Sequence, residues 1–290
     1  MIAVMGASGN VGGRVSELLL REKQNVRTFG RSAERLDALG RQGAEVLVGD
    51  ALNVHDLEVL FRGAEAALVV LPDNVTDPHY VSNRSTMSRA ITHALHEQPV
   101  GHVVLASSLG ADHDRGVGPV AGLHELEGLL FGLDATNVLS LRAPWHMENL
   151  MASLPLIEQQ KINGSAVEAD RSFPMIATAD IAERAAQHLL RRDFQGHAVE
   201  SILGPEDHSM AEATKALGAV LGIPDLPYVQ FPPEGVKAAL LGAGMSEEVA
   251  GLLVEGQIAI NQNRINGVQR TPENTTTTRL DDFLKGAFAR

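Results

Sequence analysis

The stretch Gly6-Ala7-Ser8-Gly9-Asn10-Val11-Gly12 constrains this chain more than any other. Four apolar residues, Ile2-Ala3-Val4-Met5, precede it and read as a short buried strand, while Val11, Val15, Leu18 and Leu19 follow at helical spacing. Strand, glycine turn and helix in direct succession make a phosphate cradle. Gly6 permits a tight turn off the strand, Gly9 lets the main chain approach a pyrophosphate, and Gly12 lets the helix lie close on the sheet. The amides of the first helical turn, backed by the helix dipole, then face the phosphates. Gly6, Ser8, Gly9, Asn10, Val11 and Gly12 are therefore candidate cofactor contacts. The spacing is G-x-x-G-x-x-G, so the reading rests on this context and not on the glycines alone.

The next strand, Asn25 to Phe29, leads into Gly30-Arg31-Ser32. A site for NAD places an acid here for the ribose 2′-hydroxyl, and a site for NADP places an arginine for the 2′-phosphate. No acid occupies residues 25 to 33, and Arg31 follows the strand end. The expected cofactor is NADPH, with NADH the second choice. Arg31 is otherwise a solvated loop residue, with Arg27 or Arg35 as substitutes. A third strand, Ala44 to Val48, ends in Gly49-Asp50-Ala51, where Asp50 either accepts from the adenine amino group or satisfies loop amides. Asn53 caps the following helix. The fourth strand, Glu65 to Leu71, is nearly all apolar, as a strand covered on both faces should be. Leu71 and Pro72 mark its carboxyl end, the edge along which open α/β sheets bind ligands.

A helix near Pro78 to His96, a fifth strand at His102 to Ala106 and a sixth at Thr136 to Arg142 complete an alternation that predicts a Rossmann-type, doubly wound parallel sheet. The loop Ala111 to Pro119 is either a lid or plain solvent-exposed loop. Beyond residue 150 the pattern loosens into a smaller C-terminal α/β lobe. Ser172 to Ile176 reads as a return to the sheet, and Thr178 as the cap of a helix from Asp180 to Leu190. The expected division is a nucleotide-binding domain over residues 1–150, rejoined by about 172–192, and a substrate lobe over 193–290.

Composition removes several classes. With 290 residues and a formal charge of -12, there is ample core but no concentrated basic face, so nucleic acid is not an expected partner. The absence of cysteine excludes thiolate catalysis and zinc-thiolate sites. No metal-ligand spacing is present. No apolar run approaches membrane-spanning length, and Met1 leads straight into the first strand, so a cytoplasmic protein free of membrane is expected. A G-x-S-x-G elbow, the mark of one hydrolase class, is missing.

G-A-S-G-N-V-G at Gly6, Arg31, Gly49-Asp50, Ala106-Ser107-Ser108-Leu109-Gly110-Ala111 and Arg142-Ala143-Pro144-Trp145-His146-Met147-Glu148-Asn149 together resemble the NmrA-like branch of the atypical short-chain dehydrogenases/reductases. Within it the nearest look is to bacterial NADPH-dependent quinone reductases. The resemblance implies an NADP(H)-binding Rossmann domain and a cleft beneath a C-terminal lobe. It also implies a small-molecule acceptor such as a quinone or conjugated carbonyl, or a catalytically silent NADP(H) sensor. Oligomeric state is left as monomer or homodimer.

Short-chain reductases usually protonate the substrate through a tyrosine assisted by a lysine four residues on. Here Tyr80 is followed at that spacing by Arg84 and Tyr228 by Pro232, so the pair is absent. By the resemblance, His124 stands where related reductases carry lysine, 21 residues before the motif aromatic matched by Trp145. It is the candidate acid or ribose contact, or else a solvated helix histidine. Ser107 and Ser108 stand where a carbonyl-binding serine would be, or cap the next turn. Trp145, His146, Glu148 and Asn149 are expected along the substrate cleft, with Trp145 equally placed to be core.

Overall fold

A computed structural model describes residues 1–288. Its elements run in the order β1 (Ile2–Met5), α1 (Asn10–Arg21), β2 (Val26–Gly30), α2 (Ala33–Arg41), β3 (Glu45–Val48), α3 (Val54–Phe61), β4 (Ala66–Val69), α4 (Tyr80–Glu97), β5 (His102–Ser108), α5 (Ala121–Leu130) and β6 (Asn137–Ala143). There follow β7 (Trp145–His146), α6 (Leu154–Gln160), β8 (Asn163–Ser165), β9 (Phe173–Ile176), α7 (Thr178–Arg191), β10 (His197–Ser201), β11 (Asp207–His208), α8 (Met210–Leu221), β12 (Tyr228–Gln230), α9 (Pro233–Gly242), α10 (Glu247–Asn261) and α11 (Leu280–Ala287).

Seven strands form one parallel sheet in the order β10-β6-β5-β4-β1-β2-β3. Alternation along each strand sends side chains to two cores. Ile2, Val4, Val26, Leu68, Val104 and Leu139 pack on one face with α1, α2 and α7. Ala3, Met5, Phe29, Val69, Val103 and Leu105 pack on the other with α3, α4 and α5. Connections leave β1 toward β2 on one side and reach β4 on the other, so the strand order reverses between β1 and β4. Their carboxyl ends open the crevice in which such sheets bind ligands.

The chain leaves this sheet after β6. Phe173–Ile176 does not return to it, contrary to the apolar run's suggestion, but lies in a three-stranded sheet of order β11-β9-β7. The returning segment is α7, packed on α1, followed by β10 at the sheet edge. Thr178 is not a cap: Ala177 holds the cap position, and the Thr178 amide and hydroxyl both donate to Glu148. Pro78 likewise precedes α4, whose cap is His79. Asn53 does cap its helix, accepting from the His55 amide, and Ser246 caps α10, accepting from the Val249 amide. A third core gathers Met147, Leu150, Phe173, Met175, Leu217, Ile260 and Leu284 outside the main sheet. Among the described residues, no helix is long and apolar enough to cross a membrane, and no group of three potential metal ligands occurs.

Candidate functional site

Gly6 follows β1 with φ +75, and a Cβ there would lie 2.9 Å from the Val70 Cβ. Gly12 is tighter still: its Cβ would stand 2.4 Å from the Gly6 carbonyl oxygen. The helix start is thus packed directly on the turn. Gly9 differs, since a Cβ there would meet only the Gly6 oxygen at 3.4 Å, an ordinary contact. Its open side is the approach a phosphate needs, and the first-turn amides of α1 have no helical acceptor.

A cavity of about 620 Å³ opens along this turn, lined by Gly6, Ser8, Gly9, Arg31, Asp50, Ala51, Leu71 and Pro72. Asn10 and Gly12 do not line it. Arg31 and Arg35 both do, whereas Arg27 is committed elsewhere. Its guanidinium pairs with Glu45 at 3.0 Å and donates to the carbonyls of Val59, Leu60 and Arg62. Asp50 serves its own loop by accepting the Leu52 amide at 3.0 Å, yet remains on the cavity wall. The residues fit a dinucleotide: an open glycine turn for the phosphates, two arginines on the rim, and a carboxylate at the end of β3.

A second cavity of about 390 Å³ continues past the ends of β4, β5 and β6, sharing Val70, Leu71 and Asp73 with the first. Val11, Ser107, Ser108, Trp145, His146 and Asn149 line it, together with Leu253, Gln257 and Ile260 of α10. We call it the acceptor pocket, after the role proposed for it below. Trp145 is both wall and core, because its ring also meets Phe173 edge-on at 5.9 Å. Burial pushes the His146 imidazole below the ordinary histidine range, against the pull of Glu148 and Asp73, so it is neutral at neutral pH. Ser108 lines the pocket while its hydroxyl donates to the Leu109 carbonyl at 3.0 Å.

Three expected site residues are placed otherwise. Glu148 does not line the pocket, because it accepts from Thr178 and ties the 147–153 segment to the start of α7. Ser107 lines it, but its hydroxyl is held by the buried Glu127 at 2.5 Å. Glu127 also takes both prongs of Arg142, at 3.1 and 2.6 Å, welding α5 to β5 and β6. His124 lines a third cavity of about 410 Å³, with Tyr80, Ser85 and Leu252, and not the acceptor pocket. Its Nδ1 donates to the Ala111 carbonyl at 2.9 Å. The loop 111–119 is no free flap either, since Arg264 donates to the carbonyls of Arg115 and Gly116.

Residues 73, 84, 127 and 253–260 carry no motif. Glu127 left a trace, as a carboxylate beside Leu126 and Leu130 on the buried stripe of α5, and Arg84 only as the residue four after Tyr80.

Against known proteins, residues 6–127 match the model of an NAD(P)H-binding family. No match was found among curated protein sequences. An NADPH-dependent quinone oxidoreductase from Escherichia coli, solved with NADPH, superposes with a TM-score of 0.83 at 22% identity, covering 99% of this chain and 100% of that one. Triphenylmethane reductase from Citrobacter sp., solved with NADP(H), gives 0.78 at 20% identity over 99% and 100%. A nucleoside-diphosphate-sugar epimerase from Staphylococcus aureus gives 0.82 at 17% identity over 98% and 99%. The glycine turn, the crevice at the β1/β4 reversal and these likenesses lead to one statement: residues 6–127 match the NAD(P)H-binding family model, and the described chain has a Rossmann-type fold shared with these solved structures.

Proposed function

We propose that this protein is an NADPH-dependent oxidoreductase that reduces a quinone or another small conjugated carbonyl. The observation that carries the reading is the junction of two cavities: the dinucleotide-sized pocket on the glycine turn shares Val70, Leu71 and Asp73 with a largely apolar pocket walled by Trp145. A reduced nicotinamide bound there supplies hydride. The chain's own part is placement: the turn and first-turn amides of α1 hold phosphates, Arg31 and Arg35 meet the 2′-phosphate, and Trp145 with the α10 residues excludes water from an acceptor. Residues 1–150 with α7 and β10 form the nucleotide-binding part in this reading, and the remaining C-terminal segments cover the acceptor.

Steady-state oxidation of NADPH by pure protein, with a panel of quinones and enones, tests the activity. Acceptor-dependent turnover is expected. Saturable NADPH binding with no oxidation by any acceptor would overturn the reductase and leave a dinucleotide sensor.

The arginine pair gives a separate expectation. Arg31→Ala should weaken NADPH by about tenfold to a hundredfold, the worth of one charge-assisted bond of about 1.5–3 kcal/mol. NADH should change by less than about twofold, since it has no 2′-phosphate to lose. Parallel fluorescence titrations of the two nucleotides check this, and equal losses would remove the phosphate role. Arg35→Ala added to Arg31→Ala should deepen the loss for NADPH alone.

A further inference from the structure

His146 stands half-buried on β7, a strand fixed beside β9 by its register with the fully buried Ile176. It lines the acceptor pocket. No hydrogen bond, from a side chain or from the main chain, acts on its imidazole; only burial and the charges of Glu148 and Asp73 do. Neither ring nitrogen is among the polar atoms that are sealed from solvent without a partner, so the unmet positions are open ones. A neutral imidazole carries one N–H and one lone pair, and here both are left to whatever fills the cavity.

Its location says what that is. Asp73 lines both the dinucleotide cavity and the acceptor pocket, and its charge is felt at His146, so the imidazole stands toward the end where the two cavities join. The other polar groups of the pocket are engaged or turned away. Asp73 bonds Arg84 and the Tyr80 hydroxyl, the Ser107 hydroxyl donates to Glu127, and the Ser108 hydroxyl donates to the Leu109 carbonyl. Arg84 keeps its Nε buried against α5 at Gly122, Gln257 accepts from the Ala166 amide, and Asn149 is exposed. The carboxylates that pull on the imidazole are themselves committed, Glu148 to Thr178 and Asp73 to Arg84, and burial keeps the ring uncharged at neutral pH.

We propose that His146 is a catalytic residue whose imidazole N–H receives the acceptor oxygen on which negative charge develops. The proposal rests on the reductase reading. Hydride from a reduced nicotinamide adds to the electrophilic carbon of the carbonyl or conjugated system, and the displaced π pair moves onto oxygen. His146 stabilises that oxygen as a donor and keeps its own proton, since a neutral imidazole polarises a carbonyl but is too weak an acid to surrender its N–H. A proton from solvent completes the hydroxyl, and the nicotinamide is left oxidised. The oxygen carries more charge at the transition state than in the bound acceptor, so the donor counts for more in rate than in binding. One preorganised donor of this kind is worth about 10²–10³ in rate.

The test compares an acceptor with its oxygen-free analogue, 1,4-naphthoquinone with naphthalene, in protein saturated with NADP⁺, where no hydride is available and both only bind. The chain has no cysteine for the quinone to alkylate. His146→Leu should weaken naphthoquinone by about threefold to tenfold, the worth of one hydrogen bond, and naphthalene by less than about twofold. With NADPH in place of NADP⁺, the same variant should lose about a hundredfold in kcat toward naphthoquinone. NADPH affinity should stand, because His146 does not line the dinucleotide cavity, and this also shows that the variant is folded. Should that control fail, His146→Met takes its place with the same expectations. If the affinities for the two ligands change alike, or neither changes, His146 is only wall and the proposal is overturned. Undiminished kcat in the variant would overturn it while leaving the reductase standing. A His146-dependent gain for the quinone over naphthalene, with no acceptor reduced, would keep the oxygen site and remove the reductase.

Discussion

Gly12→Val is expected to lower dinucleotide affinity by at least about a hundredfold, some 2.8 kcal/mol of binding, with a loss of stability as well. The cause is rigid. A Cβ at residue 12 would stand 2.4 Å from the carbonyl oxygen of Gly6 and 2.7 Å from its carbonyl carbon. Neither atom can yield without opening the turn, so the start of α1 must lift away and carry its amides with it. Gly9→Ala separates packing from phosphate approach. Its Cβ would meet the protein only at 3.4 Å, so folding should be retained, yet nucleotide binding should still fall because the methyl group occupies the open face of the turn. Thermal melting with and without NADPH checks both variants. A Gly9→Ala protein that binds NADPH normally would show that phosphates do not lie on this turn.

Glu127→Ala should destabilise the fold by about 3–5 kcal/mol, the usual cost of stranding one member of a buried ion pair. Glu127 is 3% exposed and accepts from the Ser107 hydroxyl and from both Nε and Nη2 of Arg142. Those bonds hold the Arg142 guanidinium above its ordinary pKa, and without them it still stays charged, because an arginine side chain is not deprotonated in a protein. Asp112, 3.7 Å away on an exposed loop, is a poor replacement. Glu127→Gln should cost less, because an amide still accepts from one donor. Urea unfolding of the three proteins measures the series. Equal midpoints for wild type and Glu127→Ala would show that the cluster does not hold β5, β6 and α5 together.

Much of the sheet was legible because its strands are short apolar runs, each ended by glycine or a polar turn, and helices of plain amphipathic spacing lie between them. Register and neighbours were not legible. Phe173-Pro174-Met175-Ile176 has the composition of a buried strand and is one, but nothing local says which sheet it joins. His197-Ala198-Val199-Glu200-Ser201 hides in the sequence because an edge strand is partly solvated and needs no apolar run. At the site, the glycines and Arg31 announced themselves through backbone geometry and charge. Arg27 misled as a substitute, since a strand's alternation turned it toward the carbonyls at the end of α3. Glu148 and Thr178 meet across 30 residues of chain, a contact no spacing rule anticipates. Arg84 was met only as the wrong partner for Tyr80, and its burial comes from packing against a helix forty residues later.

The late return of α7 and β10 bears on how the protein comes to life during synthesis. Helix α1 presents the glycine turn, yet part of its cover, Ile181, Ala182, Ala185 and Leu189, is supplied by a segment translated more than 150 residues afterwards. Until the ribosome has delivered that segment, the nascent cradle faces solvent on one flank. Completion of the cradle therefore waits until residue 191 of 290 has been made, about two-thirds of the way along the polypeptide.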